Sequence, residues 1–279
     1  MKIAVIGAGL MGSGIAQTGA QAGYEVKNID VFEPAIEKAK ANIEKIFVKK
    51  IAKGKITEAE KAEVLGRLTY SSNMEDVKGA DLIIEAVPEK IDLKKSVFEQ
   101  LDKLADPETL IVSNTSGLSI SEIAAATSRP DKVMGVHFFY PAPVMKLVEL
   151  IRGIATADET YHKVKEFAIE IKKAVVDAPE YPGFIVNRVL VPMQNEAAFM
   201  VMEGCTPEDV DNAMKLGCNF PMGPLELTDF VGVDVMLATM TGLYNGFHDS
   251  KYRPCPLLET MVKAGHLGRK SGQGFYKYE

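Results

Sequence analysis

Up to about residue 180, short β-branched runs alternate with stretches whose apolar residues recur at helical spacing. The runs are KIAVIG (2–7), YEVKNID (24–30), RLTYS (67–71), ADLIIEAV (80–87), TLIVSN (109–114), KVMGVHFF (132–139), KLVELI (146–151) and AVVDA (174–178). Residues 11–22, 34–53, 93–104 and 158–172 read as the helices between them. Strand–helix alternation predicts an α/β domain with a doubly wound, mostly parallel sheet. The runs 132–139 and 146–151 have no helix between them. They predict an antiparallel hairpin at the edge of that sheet.

Beyond Pro182 and Gly183 the period is helical only. FIVNRVLVPMQNEAAFMVMEG (184–204) is apolar on nearly every side, which predicts a helix covered from several directions. Thr206, Pro207, Glu208 and Asp209 form a helix start: a capping hydroxyl, a proline in the first turn, then acids. Further helices are expected around 223–230, 233–246 and 256–264. The expected domains are therefore 1–183, holding the sheet, and an all-α domain, 184–279.

Composition narrows the partners. The 279 residues are 47% hydrophobic and 25% charged, enough apolar material for a sizeable core. A net charge of −6 argues against nucleic acid as the main partner. Cys205, Cys218 and Cys255 have neither CxxC spacing nor histidine neighbours, so no disulfide framework and no metal site are expected. The first strand begins at Lys2, leaving no room for a leader peptide. No apolar run approaches the roughly 20 residues that span a bilayer. A cytoplasmic protein without membrane contact is expected.

The first chemical motif follows the first strand. Gly7-x-Gly9-x-x-Gly12, with Leu10 and Met11 inside it, opens the first helix, and Asp30 ends the second strand. Gly7 permits the tight turn, Gly9 the approach of a pyrophosphate, and Gly12 close packing of helix on strand. The phosphates would sit on the helix N-terminus. Asp30 would take the adenosine ribose and repel a 2′-phosphate. This is a Rossmann-type dinucleotide site, expected to take NAD, with NADP possible.

Ligands of such sheets bind at the carboxyl ends of the strands. Those ends deliver Glu85, Ala86 and Glu89, then Asn114, Thr115 and Ser116, then His137. A lone buried histidine, or a lone Asn-Thr-Ser turn, is commonly structural. Here three successive strands bring polar groups to one rim. A hairpin turn centred near Pro143 also places Glu149 opposite His137. That carboxylate would fix the ring tautomer and stabilise the imidazolium. A general acid–base group beside a nicotinamide needs this arrangement.

Six segments carry a resemblance to a known family. They are IGAGLMGSGIAQ, SNTSGLSI, HFFYPAPVMKLVEL, PGFIVNR, AMKLGCNFPMGPLELTDFVG and GRKSGQGFYKY, spread from end to end. The chain resembles the (S)-3-hydroxyacyl-CoA dehydrogenases, most closely their short bacterial 3-hydroxybutyryl-CoA members. The resemblance implies an active site of Ser116, His137, Glu149 and Asn187. It places Glu89, Lys94, Asn114 and Lys270 near the cofactor, and Lys53 at the CoA nucleotide. It further implies acetoacetyl-CoA and 3-hydroxybutyryl-CoA as substrates, and a homodimer formed through the helical domain.

Two positions depart from the family pattern. Tyr140 replaces the asparagine of HFFNP, and Gly117 replaces the second serine of NTSSL. Tyr140 is expected to lay its ring near the nicotinamide end of the cleft, with at most one polar contact. Two other readings compete. A different β-hydroxyacid dehydrogenase would need a catalytic lysine, which the NTS and VNR segments lack. A non-catalytic homologue that kept the fold would not need Ser116, His137, Glu149 and Asn187 together.

Overall fold

The β-branched runs become eight strands of one sheet. The structure, a computed structural model, describes residues 1–278. In chain order the elements are β1 (Lys2–Ile6), α1 (Leu10–Gln21), β2 (Glu25–Ile29), α2 (Glu33–Ala52), α3 (Glu58–Gly66), β3 (Leu68–Ser71) and β4 (Leu82–Glu85). Then come α4 (Ile91–Leu104), β5 (Leu110–Ser113), α5 (Ile120–Ala124), β6 (Val133–Phe138), β7 (Leu147–Arg152), α6 (Asp158–Glu170) and β8 (Ala174–Ala178). The second set is α7 (Val186–Met202), α8 (Pro207–Cys218), α9 (Pro224–Val231), α10 (Val233–Phe247) and α11 (Pro256–Lys263). The chain divides into two units, Met1–Glu180 and a second from Tyr181 on.

The strand order is β3-β2-β1-β4-β5-β6-β7-β8. Pairing is parallel from β3 to β6, antiparallel between β6 and β7, and parallel again between β7 and β8. Order reverses between β1 and β4, and the crevice at that switch lies over the carboxyl ends of both strands. The inner strands are apolar on both faces because helices cover both. Ile3, Val5, Leu82 and Ile84 pack with Ile15 and Ala16 of α1 and with Ile43 and Phe47 of α2.

The hairpin is antiparallel as expected, but it is not the sheet's edge. The α6 crossover returns the chain so that β8 pairs along the outer side of β7. β8 covers the open backbone of β7, and its own mostly exposed side chains mark it as the true edge. Lys173 locks this arrangement. Its buried ammonium donates to the carbonyls of Ala142 at 2.5 Å and Met145 at 2.7 Å, both in the hairpin turn. Burial pulls the Lys173 pKa down.

Helix α3 has no counterpart among the expected elements. None of its residues is buried, and only Val64 and Leu65 pack against the core, too little of an apolar stripe to read. Its start is set by a capping box: Thr57 Oγ1 accepts from Glu60 N, and the Glu60 carboxylate accepts from Thr57 N. The Thr57 amide, and then the Thr57 hydroxyl, which donates to the same carboxylate oxygen at 2.9 Å, hold the Glu60 carboxyl below its usual range.

The second unit packs Val191 and Ala198 of α7 against Val233, Met236, Met240 and Leu243 of α10 and Leu258 of α11. α7 is not covered all round within the chain. Val189 is 70% exposed, and Met200 and Met202 are also turned outward. Two buried carboxylates anchor the closing segment. Asp211 accepts from the first-turn amides of Leu225 (2.8 Å) and Glu226 (2.9 Å), and from the Tyr276 hydroxyl (2.8 Å). Asp229 accepts from Phe275 N at 3.0 Å, Tyr276 N at 2.9 Å and Tyr278 Oη at 3.0 Å.

Candidate active site

The loop after β1 has the geometry its glycines require. Gly7 lies at φ +102°, and a Cβ there would come 2.7 Å from the carbonyl oxygen of Ala86. A Cβ on Gly12 would come 2.0 Å from the carbonyl oxygen of Gly7, so helix and loop could not close. At Gly9 a Cβ would meet nothing within 4 Å, so the space a side chain would fill lies open above the loop. Gly9 caps α1 without a side-chain bond, and no acid stands in the first turn. The helix therefore offers its first amides, those of Leu10 and Met11 among them, to an anion. These residues fit the pyrophosphate of a dinucleotide.

Asp30 directly follows β2 and steadies this loop. One carboxylate oxygen accepts from Ala8 N at 2.7 Å and the other from Phe32 N at 2.9 Å. Each oxygen keeps acceptor capacity for a ribose hydroxyl. A cavity of about 390 Å³ lies against the loop, with Phe32, Pro34 and Lys38 on its α2 side. A larger cavity of about 440 Å³ opens at the opposite end of the sheet, beside Leu82 and Leu110 where their strands begin. Sheet topology favours the carboxyl end, where the polar side chains are gathered.

Along that rim, β4 ends in Glu85, which is fully buried. Its Oε1 accepts from Val87 N and Lys94 Nζ, both at 2.7 Å, and its Oε2 from Ser113 Oγ at 2.6 Å. Lys94 is thus drawn beneath the rim, where it also lies 3.3 Å from Glu89 Oε2. Glu89 Oε1 accepts from Thr115 Oγ1 at 2.6 Å, Ser116 N at 2.8 Å and Ser116 Oγ at 3.0 Å. Asn114 Oδ1 accepts from Phe138 N at 2.9 Å, which ties the end of β5 to the residue after His137.

The β6–β7 register puts His137 opposite Glu149. His137 Nδ1 lies 2.7 Å from Glu149 Oε2, with both side chains buried. A proton on Nδ1 donated to the carboxylate leaves the lone pair of the neutral ring on Nε2. The Phe139 ring packs on the imidazole at a centroid distance of 4.5 Å. Tyr140 is 51% exposed, so it is not a core aromatic beside Phe138 and Phe139.

The structure brings Gly7, Gly9, Leu10, Met11, Gly12 and Asp30 together at one end of the rim. Glu89, Lys94 and Ser116 are joined by the bonds above, and Asn114 is tied to Phe138 N. Lys53 is exposed at the C-terminal end of α2. Asn187, near the start of α7, and Lys270 belong to the second unit, where Lys270 pairs with Asp234. Among the described residues no cluster of His, Cys, Asp or Glu is placed to hold a metal. No helix there is long and apolar enough to cross a membrane.

Family models settle the kinship. Residues 2–181 match the model of the 3-hydroxyacyl-CoA dehydrogenase NAD binding domain, and residues 183–278 that of the C-terminal domain. The chain belongs to the 3-hydroxyacyl-CoA dehydrogenase family. It is similar to a probable 3-hydroxybutyryl-CoA dehydrogenase of Bacillus subtilis, 50% identical across 100% of this chain and 97% of that protein. It is equally similar to a 3-hydroxybutyryl-CoA dehydrogenase of Clostridioides difficile, at 50% identity over 100% of this chain and 99% of the relative. The crystal structure of (S)-3-hydroxybutyryl-CoA dehydrogenase from Ralstonia eutropha superposes with a TM-score of 0.95, at 46% identity, covering 100% and 99% of the two chains. The chain is accordingly an NAD-dependent oxidoreductase of this family.

Sequence reasoning overlooked Ser113 and gave Glu85 no role. The available signal was an acid closing the apolar strand LIIE, with a lysine one helical turn into α4. A carboxylate in that position must find partners inside the protein.

Proposed function

We propose that the protein is a 3-hydroxybutyryl-CoA dehydrogenase, interconverting (S)-3-hydroxybutyryl-CoA and acetoacetyl-CoA. The observation that carries this reading is the buried His137–Glu149 contact of 2.7 Å on the strand next to the Asn114–Ser116 turn. Relatives of that name at 50% identity over the whole chain support the substrate.

NAD, when bound, would supply the hydride chemistry at C3. In oxidation His137 Nε2 takes the proton of the 3-hydroxyl; in reduction the imidazolium gives it back. Glu149 holds the ring by Nδ1 and stabilises its charged form. Ser116, with Asn187 from the helical unit, hydrogen-bonds the reacting oxygen and fixes C3. The loop from Gly7 to Gly12 takes the pyrophosphate and Asp30 the adenosine ribose. Glu89, Lys94, Asn114, Tyr140 and Lys270 are assigned to the rest of the cofactor. Lys53 is assigned to the CoA nucleotide. The outward Val189, Met200 and Met202 of α7 support a homodimer through the helical unit.

The test is a rate measurement with acetoacetyl-CoA and NADH, then with (S)-3-hydroxybutyryl-CoA and NAD. Turnover is expected in both directions. Free 3-hydroxybutyrate should be a poor substrate, because the CoA portion supplies remote binding energy. Equal specificity constants with and without CoA, or no turnover, would overturn the reading.

A further inference from the structure

Glu85 is a fully buried carboxylate for which the proton transfer has no use. Such a group is costly unless it is paired and hydrogen-bonded, and Glu85 is both. Two arms lead outward from it. Through the first, Lys94 Nζ at 2.7 Å reaches Glu89 Oε2 at 3.3 Å, and Glu89 Oε1 holds Ser116 N at 2.8 Å and Ser116 Oγ at 3.0 Å. Through the second, Ser113 Oγ donates to Glu85 at 2.6 Å and accepts from Thr115 N at 3.1 Å. Both arms end on residues 115–116.

We infer that Glu85 and Lys94 are positioning residues that hold Glu89, and through its bond to Ser116 N the Ser116 side chain, whose single hydroxyl proton turns from Glu89 to the reacting oxygen once substrate is bound. The inference rests on the role proposed for Ser116. One ammonium is shared by two carboxylates, and Glu85 holds it the closer, at 2.7 Å against 3.3 Å. Val87 N and Ser113 Oγ keep Glu85 itself in place. With Glu85 neutral, the attraction of Lys94 falls on Glu89 and draws that carboxylate inward, away from Ser116. A purely structural ion pair would stabilise α4 against β4 and leave Ser116 unaffected. Here Glu89 turns its other oxygen to the Ser116 hydroxyl and amide, which makes the pair part of the site.

The test is a double-mutant cycle on acetoacetyl-CoA reduction at saturating NADH. Glu85→Gln should lower kcat about tenfold in the wild-type background, since a misplacement near one ångström can cost up to ~10². In a Ser116→Ala background the same change should cost less than about twofold, because the group it positions is already gone. An equal factor in both backgrounds, or no loss in the wild-type background, overturns the inference. If Ser116→Ala alone leaves kcat unchanged, the role of Ser116 fails and this inference fails with it. If Ser116→Ala lowers kcat but the Glu85→Gln factor persists beside it, only the positioning role fails. Should Glu85→Gln not unfold cooperatively, Ser113→Ala removes one arm and carries the same cycle. Its expected loss is roughly threefold, vanishing in the Ser116→Ala background; an equal loss in both backgrounds overturns the inference.

Discussion

Glu149 Oε2 lies 2.7 Å from His137 Nδ1 across an antiparallel strand pair, with neither group open to bulk water. Strand pairing sets this distance, so backbone geometry fixes the orientation of the imidazole. Replacing His137 with Gln should lower turnover by ~10² or more, since that is the usual worth of a general acid–base group. NADH affinity should be little changed. Stopped-flow reduction of acetoacetyl-CoA, with NADH binding read by fluorescence, separates the two effects.

Asp30 should make NADH the preferred coenzyme. Its neighbours Val31 and Phe32 bring no cation to offset repulsion of a 2′-phosphate. The kcat/KM ratio of NADH to NADPH should exceed ~10, equivalent to about 1.4 kcal/mol. Asp30→Asn can satisfy only one of the amides of Ala8 and Phe32. Its NADH KM should therefore rise while the ratio shifts toward NADPH. A wild-type enzyme that favours NADPH would overturn the argument.

Tyr140 is the position where exposure decides between roles. At 51% exposure its ring contributes little to the core, so Tyr140→Phe should change stability by less than ~0.5 kcal/mol. Loss of its hydroxyl should shift the cofactor KM by at most the ~1 kcal/mol of one neutral hydrogen bond. Tyr140→Asn should remain active. If Tyr140→Phe abolished turnover as fully as His137→Gln, the phenol would be the acid–base group.

What the chain reveals of itself follows from sequence distance. The glycine loop is legible because Gly7, Gly9 and Gly12 act within one turn and their spacing is the mechanism. The His137–Glu149 pairing is legible because a helix-free connection centred near Pro143 converts sequence position into register. The outer place of β8 is not, because it depends on where the α6 crossover lands. Helix α3 hides because its capping box, rather than an apolar stripe, defines it. The contacts of Asp211 and Asp229 with Tyr276 and Tyr278 join residues 65 and 49 apart, and no local pattern announces them.

Those last contacts give the fold an alkaline limit. The Tyr276 hydroxyl donates to the buried Asp211 carboxylate, and burial first, then that bond, push the Tyr276 pKa upward from its ordinary 10.0. Tyr278, beside Asp229, is raised to about 12, again chiefly by burial. A phenol with a raised folded-state pKa binds more protons folded than unfolded once pH passes ~10, so stability must fall as pH rises above that value. Below ~10 the contribution is present in full. Tyr276→Phe should cost about 1.5–3 kcal/mol at pH 7, the worth of a hydrogen bond to a charged acceptor. It should also flatten the loss of stability above pH ~10, because the group that drives part of it is gone. Urea unfolding followed by far-UV circular dichroism at pH 7, 9 and 10.5 reads both effects. A variant that lost stability between pH 9 and 10.5 as steeply as the wild type would show that Tyr276 is not the titrating group.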